Sequence, residues 1–401
     1  MTSSPTQNTR WMLPEGIEEI LPPETWRLES LRRDLLDLFQ SWGYDLVVPP
    51  LVEYLESLLT GTGHDMDIAT VKFVDQMGGR LLGIRADMTP QAARIDAHQL
   101  KRDHPVRLCY LGPVLRSVPE QQGAARNPLQ VGAEIYGHQG GASDVEIVSL
   151  MLETLKAVGV EDVYIDLGHT GVFRGLARHA GMSEADEEVF FDMLQRKAVP
   201  EIEAFLEASD FAPATRTMLA ALCRLNGDAP VLEEADQVFA GAPAEVRDAI
   251  DRLKTLADQI SAALPDVPLH FDMAELRGYQ YHTGVVFAAY VPGFGDAVAR
   301  GGRYDSVGLE FGRARPATGF SADIKTLLSL GCYAPAVESQ AVILAPVAGD
   351  AGLREAVALL REGGRRVVHA LDEGDLDAMA RTMGCGEILV ERDGHWATLQ
   401  V

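Results

Sequence analysis

Apolar side chains recur at helical spacing near the start of the chain and at strand spacing soon afterwards. Residues 24–42 carry an apolar stripe on roughly one face of a predicted helix. Its members are Trp26, Leu28, Leu31, Leu35, Leu38 and Phe39. Gly43 ends this helix, and residues 44–48 form a short strand that stops at Pro49, because proline cannot donate to a sheet ladder.

Short apolar runs separated by turns predict a sheet in the middle of the chain. They lie at residues 81–84, 106–111, 131–136, 269–273, 285–290 and 297–299, and a helix at 321–330 follows them. Residues 172–263 instead have helical periodicity, with many alanines and glutamates. The pattern therefore predicts an α+β domain at residues 1–333, in which helices flank an antiparallel sheet and a helical module is inserted between the two groups of strands.

A change of pattern near residues 333–335 predicts a second, small α/β domain at residues 334–401. Its predicted elements are a strand at 342–346, a helix at 353–361, a strand at 367–371, and two further strands at 387–392 and 395–401. Asp393 and Gly394 separate the last two strands, which is a typical hairpin signal.

The composition is that of an ordinary globular protein, with 47% hydrophobic and 23% charged residues. Lys and Arg number 35 against 59 Asp and Glu, which gives a formal net charge of −24. Residues 340–401 hold six arginines, no lysine and ten acidic residues. Because nucleic acids are held largely by basic side chains, we expect no tRNA partner.

The cysteines and the N-terminus indicate the cellular compartment. Cys109, Cys223, Cys332 and Cys385 are scattered without metal-ligand spacing, so we expect reduced thiols and neither a disulfide nor a metal site. The first 16 residues lack the apolar core of a signal peptide, and no run of 18 apolar residues occurs. We therefore expect a cytoplasmic protein that has no membrane partner.

Several segments resemble motifs of one family, in that family's order. Residues 43–50 resemble motif 1 of class II aminoacyl-tRNA synthetases, where a helix and a strand ending in proline form the dimer interface. Residues 111–116 (LGPVLR), followed by Gln130 and Glu134, resemble motif 2 of the histidyl enzyme. The most specific segments are residues 276–284 (LRGYQYHTG) and 301–305 (GGRYD), which resemble the histidine-specific RGLDYYTG and its companion GGRYD.

Residues 85–89 (RADMT) are also similar to the family's RPEGT, so that the resemblance covers residues 13–330. On these motifs the chain is identified as a member of the histidyl-tRNA synthetase-like family. This implies a class II synthetase-like fold that self-associates as a dimer. Residues 334–401 resemble a shortened anticodon-binding domain.

The resemblance also implies a pocket for histidine, whose ammonium, carboxylate and imidazole need acceptors, a cation and a ring partner. Asp87, Thr89 and Gln130 are placed to take the ammonium, and Arg277 the carboxylate. Glu134 is placed to accept from the ring, which Tyr304 flanks. The full histidine-binding set is Asp87, Thr89, Arg116, Gln130, Glu134, Arg277, Tyr281, His282 and Tyr304. No catalytic residue, cofactor or metal is predicted.

Some of these residues also have a purely structural interpretation. Arg116 and Glu134 could form an ion pair within the sheet, because buried charged groups are usually paired with a group of opposite charge. Gly278, Gly284 and residues 301–302 could serve only turns and bulges, which is a common use of glycine.

Two motifs depart from the family where the synthetases bind ATP. The family's motif 2 has arginine, histidine, glutamate, arginine, whereas this chain has Arg116, Ser117, Val118 and Pro119. Its motif 3 pattern GFxxGxER corresponds here to residues 319–326. Losing one preorganised contact to a transition state costs about 3 to 4 kcal/mol, so the sequence predicts that ATP activation is absent.

In that motif 3 segment, Thr326 stands where the family has its arginine, and Asp323 stands in place of a glycine. The neighbouring Lys325 is a poor substitute, because adjacent helical residues point about 100° apart. The histidine pocket changes less: Asp87 replaces a glutamate, Gln280 an aspartate and His282 a tyrosine.

A synthetase-like fold with amino-acid ligands but without ATP ligands resembles the regulatory subunits of ATP phosphoribosyltransferase. The resemblance implies a non-catalytic subunit that a short catalytic subunit needs for activity in the first step of histidine biosynthesis. It also implies that histidine feedback passes through this chain, with a coupling of about 1 to 3 kcal/mol. The alternatives are a divergent histidyl-tRNA synthetase and a stand-alone histidine-binding or RNA-modifying paralogue.

Overall fold

The computed structural model describes residues 11–61, 63–120, 124–276, 278–279, 281–306, 309, 311–331, 333–334 and 341–401. It divides the chain into two compact units, Met1–Tyr333 and Ala334–Val401. Within the described residues, no helix is both long and apolar enough to cross a bilayer.

The first unit contains both strands and helices, with a run of helices between its two groups of strands. Its strands are β1 (Asp45–Leu46), β2 (Val52–Tyr54), β3 (Val71–Val74), β4 (Leu81–Ile84), β5 (Val106–Pro113), β6 (Leu129–Tyr136), β7 (Tyr164–His169), β8 (Asn226–Gly227), β9 (Leu269–Asp272), β10 (Val285–Tyr290), β11 (Ala299–Arg303) and β12 (Ala317–Asp323). Its helices are α1 (Glu24–Ser41), α2 (Leu55–Leu58), α3 (His64–Ala69), α4 (Thr89–Arg94), α5 (Gly141–Ala157), α6 (Thr170–Ala180), α7 (Glu184–Gln195), α8 (Val199–Ala208), α9 (Pro213–Ala221), α10 (Pro230–Val238), α11 (Ala244–Ala263) and α12 (Ile324–Leu330). A π-helical turn, Ile95–Leu100, continues α4.

A nine-stranded sheet with the order β1-β5-β6-β12-β11-β10-β7-β9-β8 forms the centre of this unit. Its strands from β5 to β7 pair antiparallel, as the sequence predicted. Two pairs, β1 with β5 and β7 with β9, are parallel. Parallel neighbours need a long crossover, and for β7 and β9 the helices α6 to α11 provide it.

The two faces of the nine-stranded sheet bury different side chains. On β6, Val131, Ala133 and Ile135 join the large core formed with α1, α5 and α11. The alternate residue Tyr136 lies on the opposite face, in a second core that contains Met88 and α4 residues. Because successive side chains of a strand point to opposite faces, this second face also receives Gln130 and Glu134.

Strand β4 does not join the nine-stranded sheet, contrary to the prediction for residues 81–84. It lies in a separate three-stranded sheet of order β2-β4-β3. One face of this small sheet packs on α2, where a Cβ at Gly83 would come 2.9 Å from Leu58. The opposite face, here called the open face, carries Val52, Tyr54, Val71, Phe73, Leu82 and Ile84, which the register places side by side.

Strand β12 was not predicted, and the helix expected at 321–330 begins later, at Ile324. The change from strand to helix occurs at Asp323, whose side chain accepts a hydrogen bond from the Lys325 backbone N–H. Such an N-cap satisfies a donor at the first turn of a helix. The predicted strand at 297–299 likewise shifts to Ala299–Arg303.

The second unit is a small α/β domain, as predicted. Its strands are β13 (Ile343–Ala345), β14 (Val367–His369), β15 (Glu387–Arg392) and β16 (His395–Gln400), and its helices are α13 (Ala351–Glu362) and α14 (Leu376–Met383). The strand order is β14-β13-β15-β16, with an antiparallel hairpin between β15 and β16. Helix α14 was not predicted from the sequence, and in the structure Ala380 is its one buried residue.

Candidate functional site

A cavity of about 820 Å³ opens on the Glu134 face of the nine-stranded sheet. It is lined by eight of the predicted site residues: Asp87, Thr89, Arg116, Gln130, Glu134, Tyr281, His282 and Tyr304. The ninth, Arg277, lies outside the described residues, as does Gln280. Five segments far apart in sequence thus contribute to one pocket, which is typical of a ligand site.

Glu134 lies at the bottom of the pocket and is 1% exposed. The Tyr110 hydroxyl donates to its Oε1 at 2.9 Å, and the Tyr304 hydroxyl donates to its Oε2. Burial raises the pKa of Glu134 from 4.5 to about 8, since the two hydroxyl donors offset only part of the desolvation. The alternative of an ion pair between Glu134 and Arg116 is wrong, because Arg116 pairs with Glu120 instead.

Gly319 on β12 lies directly opposite Glu134 in the strand register. A Cβ at this position would come 1.5 Å from Glu134 Oε2 and 2.7 Å from the Ala133 carbonyl oxygen. The glycine therefore makes room for the buried carboxyl group. Gly301 has a similar role between strands, because its Cβ would come 2.2 Å from the Gly319 carbonyl oxygen. The interpretation of Gly301 as a mere turn residue is wrong.

Asp87 is fixed at the start of α4 by two donors. The Thr89 backbone N–H donates to Asp87 Oδ1 at 2.9 Å, and Gln130 Nε2 donates to the same oxygen at 2.8 Å. Gln130 Oε1 in turn accepts from the Met88 backbone N–H at 2.9 Å. Gln130 thus orients Asp87, and the Asp87 carboxylate offers the pocket a negative charge for an ammonium group.

The aromatic wall of the pocket contains polar atoms that have no partner in the part of the chain that the structure describes. The Tyr281 ring lies 4.8 Å from the Tyr304 ring, and the His282 ring lies 5.4 Å from that of Tyr281. Tyr281 Oη and His282 Nδ1 are buried and have no hydrogen-bond partner among the described residues. Burial lowers the pKa of His282 to about 4, so its ring is neutral. Since buried polar atoms are normally paired, these atoms favour a polar ligand here.

The helical insertion holds the segment that carries Tyr281 and His282. Arg174 on α6 donates from Nη2 to the carbonyl oxygens of Tyr279, at 2.7 Å, and of His282, at 3.2 Å. The Tyr279 ring packs between Phe173 and Phe191, with ring centroids 5.3 and 5.4 Å apart. The role of Arg174 was not predicted, since a single arginine on a helix carries no signal of a contact made 105 residues away.

Tyr304 is positioned by its neighbour Arg303, which is buried. Arg303 Nη2 donates to Asp144 Oδ1 and to Ser143 Oγ, both at 2.9 Å, and its Nη1 donates to the His138 carbonyl oxygen at 3.1 Å. The GGRYD segment therefore supplies one structural residue and one pocket residue. Tyr110, which contacts both Glu134 and Thr89, was missed because it lies just before the motif 2 segment.

The outer part of the pocket is acidic. Among the described residues that line the whole cavity, the cationic side chains are fewer than the carboxyl groups. The cations are Arg116, Arg300 and Lys325. The carboxyl groups belong to Glu18, Asp65, Asp87, Glu120, Glu134, Asp296 and Asp323. Lys325, which was expected to be a poor substitute for the family's arginine, lines the cavity beside Thr326. Its long side chain reaches the cavity from the first turn of α12, where its Nζ lies 3.9 Å from Glu18 Oε2. Thr326 Oγ1 donates to Asp323 Oδ2 at 2.9 Å.

The fold and the pocket define a protein of the histidyl-tRNA synthetase type, and the family model described as Histidyl-tRNA synthetase matches residues 16–327. A second model, described as ATP phosphoribosyltransferase subunit HisZ C-terminal domain, matches residues 340–398. The chain belongs to the family of ATP phosphoribosyltransferase regulatory subunits. The resemblance inferred from the sequence motifs is thereby confirmed.

Relatives and solved structures agree with this assignment. The chain is 54% identical to an ATP phosphoribosyltransferase regulatory subunit of Thioalkalivibrio sulfidiphilus, over 98% of this chain and 99% of that protein. It is also 54% identical to the protein of the same name from Azotobacter vinelandii, over 96% of this chain and 97% of that protein. A crystal structure from Bacillus halodurans, described as an ATP phosphoribosyltransferase regulatory subunit/histidyl-tRNA synthetase, matches with 27% identity and a TM-score of 0.80 over 93% of this chain and 96% of that one.

Proposed function

We propose that this chain is the non-catalytic, histidine-sensing regulatory subunit of an ATP phosphoribosyltransferase and acts on a short catalytic subunit. The names of its relatives support the regulatory role and imply a catalytic partner. The observation that supports the sensing role is the pocket itself. It keeps a buried acceptor, an oriented carboxylate and an aromatic wall, while its outer part is too acidic to suit a polyphosphate.

Histidine matches the chemistry of the pocket group by group. Its ammonium is expected to pair with Asp87, which Gln130 and the Thr89 backbone orient. A ring N–H is expected to donate to Glu134, with the ring beside Tyr304. The Tyr281 hydroxyl and His282 Nδ1, which have no hydrogen-bond partner among the described residues, lie in the same wall and are proposed to be available to the ligand. Arg277 remains the proposed cation for the carboxylate, and Arg116 lines the same cavity.

The chain is expected to form no histidyl-adenylate. Val118 and Pro119 stand where the family's motif 2 has charged residues, and Thr326 is engaged with Asp323. Since cations must stabilise the phosphates in the transition state, histidine-dependent exchange of labelled pyrophosphate into ATP should not exceed a blank without protein. A histidyl-tRNA synthetase assayed in parallel is the positive control. Exchange above the blank would favour the divergent-synthetase alternative.

We further propose that the chain self-associates as a dimer through the open face of the small sheet. Tyr54 and Phe73 on this face are 42% and 40% exposed, and four more apolar side chains adjoin them. A contiguous exposed apolar patch of this kind marks an interaction surface. The exposed Leu46 and Val48 belong to the segment that resembles the dimer-forming motif 1, which supports the same assignment.

Phe73→Glu is expected to convert the dimer to a monomer, because an unpaired charge would be buried in the interface. Light scattering after size exclusion measures the mass directly. Leu359→Glu, which also replaces an exposed apolar side chain with glutamate but in the second unit, is the matched control and should leave the dimer intact. A Phe73→Glu protein that keeps the mass of a dimer would contradict this location of the interface.

The net charge of −24 and the ten acidic residues against six arginines in residues 340–401 also support the proposal that the chain binds no tRNA. We place its action in the cytoplasm, where a biosynthetic enzyme complex would meet its substrates. A stand-alone histidine-binding paralogue would bind histidine equally well but would not form a complex with a catalytic subunit.

A further inference from the structure

Two arginines meet at one carboxylate in the outer part of the pocket. Arg116 follows β5 and forms an isolated β-bridge with Thr70, and Arg300 lies within β11. Glu120 accepts from the guanidinium groups of both, one through each carboxylate oxygen. Asp296 accepts from the other end of the Arg300 guanidinium. Both arginines are therefore already engaged by carboxylates of the same chain, whereas Lys325 Nζ has no hydrogen-bond partner among the described residues.

The partners of these arginines decide which anions the pocket can bind. A phosphate is recognised by guanidinium N–H groups that it can engage in pairs. Arg116 and Arg300 are only 24% and 28% exposed, and their carboxylate partners lie in the same cavity. A polyphosphate would have to displace Glu120 and then lie beside its negative charge. Because like charges at short range repel, this displacement is unfavourable.

We propose that Glu120 is a built-in counter-ion that excludes phosphorylated ligands from the pocket and thereby restricts it to the free amino acid. The proposal deepens the proposed function, since it rests on the amino acid being the ligand of the same pocket. As a consequence, nucleotides do not compete with histidine for the pocket. This is needed if the partner consumes ATP, because ATP is then present together with histidine. Glu120 acts through Arg116 and Arg300, and is a specificity-determining residue.

Titration calorimetry with inorganic pyrophosphate tests this role. The parent protein should bind pyrophosphate too weakly to measure at millimolar concentrations. Glu120→Gln, which keeps the shape and removes the charge, should bind it about ten-fold more tightly or better, and added salt should weaken that binding. Glu120→Ala should show the same gain. Glu245→Gln, the matched control, removes a carboxylate that pairs with Arg178 on the helical insertion and should behave as the parent.

The proposal is overturned if neither Glu120 variant binds pyrophosphate more tightly than the parent. It is also overturned if Glu245→Gln gains as much, because the effect would then come from net charge alone. Adding Arg300→Gln to Glu120→Gln should abolish the gain, and an unchanged gain would show that pyrophosphate binds elsewhere. A separate titration of histidine into the parent tests the proposed function. If histidine did not bind, the proposed function would fail, but the comparison of pyrophosphate binding between the variants would still be valid.

Discussion

Replacing Gly319 with alanine is expected to abolish histidine binding and to lower the stability of the first unit. The new Cβ would come 1.5 Å from Glu134 Oε2 and 2.7 Å from the Ala133 carbonyl oxygen. Glu134 cannot move without losing the hydrogen bonds from Tyr110 and Tyr304. Overpacking of a well-packed site typically costs about 1 to 3 kcal/mol, and the misplaced carboxyl group no longer faces the ligand.

Calorimetry with histidine and thermal melting measure the two effects of Gly319→Ala together. Gly295→Ala is the matched control, because Gly295 lines the same cavity and a Cβ there would have no atom of the described residues within 4 Å. We expect this control to melt and to bind like the parent. Unchanged histidine affinity in Gly319→Ala would show that the ligand does not depend on the position of Glu134.

Glu134→Gln is expected to weaken histidine binding about ten-fold or more. It replaces a carboxyl group that can become a charged acceptor by a neutral amide, and a hydrogen bond to a charged group contributes about 1.5 to 3 kcal/mol. The measurement is calorimetry at neutral pH. Equal affinities of the variant and the parent would place the imidazole away from Glu134.

The same variant should change how stability depends on pH. Burial raises the pKa of Glu134 from 4.5 to about 8. Between these two pH values, the folded protein keeps a proton on Glu134 that the unfolded chain has already released. This stabilisation is fully present below pH 4.5 and is lost as the pH rises through about 8. Glutamine does not titrate, so the stability advantage of the parent over Glu134→Gln should shrink as the pH rises from 5 to about 8. Denaturation curves that differ by a constant amount over this range would contradict the burial argument.

The alternation of side chains made much of the fold predictable. On β6 the apolar positions 131, 133 and 135 enter the large core, while Gln130 and Glu134 enter the pocket. The family motifs indicated which polar residues share a site. Eight residues from separate segments could therefore be assigned to one pocket from the sequence alone. The hairpin β15–β16 followed from its Asp393-Gly394 turn in the same way.

The errors arose where a contact is made far away in the sequence. Residues 81–84 have a clear strand pattern, yet the pattern does not specify which sheet they join. Arg116 pairs with Glu120, four residues further along the chain, whereas Glu134 lies buried and accepts from two tyrosine hydroxyl groups. The role of Gly319 depends on the register between β12 and β6, and β12 was not predicted from the sequence.

The most direct test of the regulatory role is a reconstitution with a purified short catalytic subunit of ATP phosphoribosyltransferase. The rate of product formation from ATP and phosphoribosyl pyrophosphate is measured for that subunit alone, with this chain, and with this chain plus histidine. We expect the catalytic subunit alone to have a low rate. Adding this chain should raise the rate, and the two proteins should form a complex on a sizing column. Adding histidine should lower the rate again. Histidine can shift the assembly only if it binds the active and inhibited states with different affinities, typically by about 1 to 3 kcal/mol. A mixture that forms no complex and whose rate responds neither to this chain nor to histidine would contradict the account.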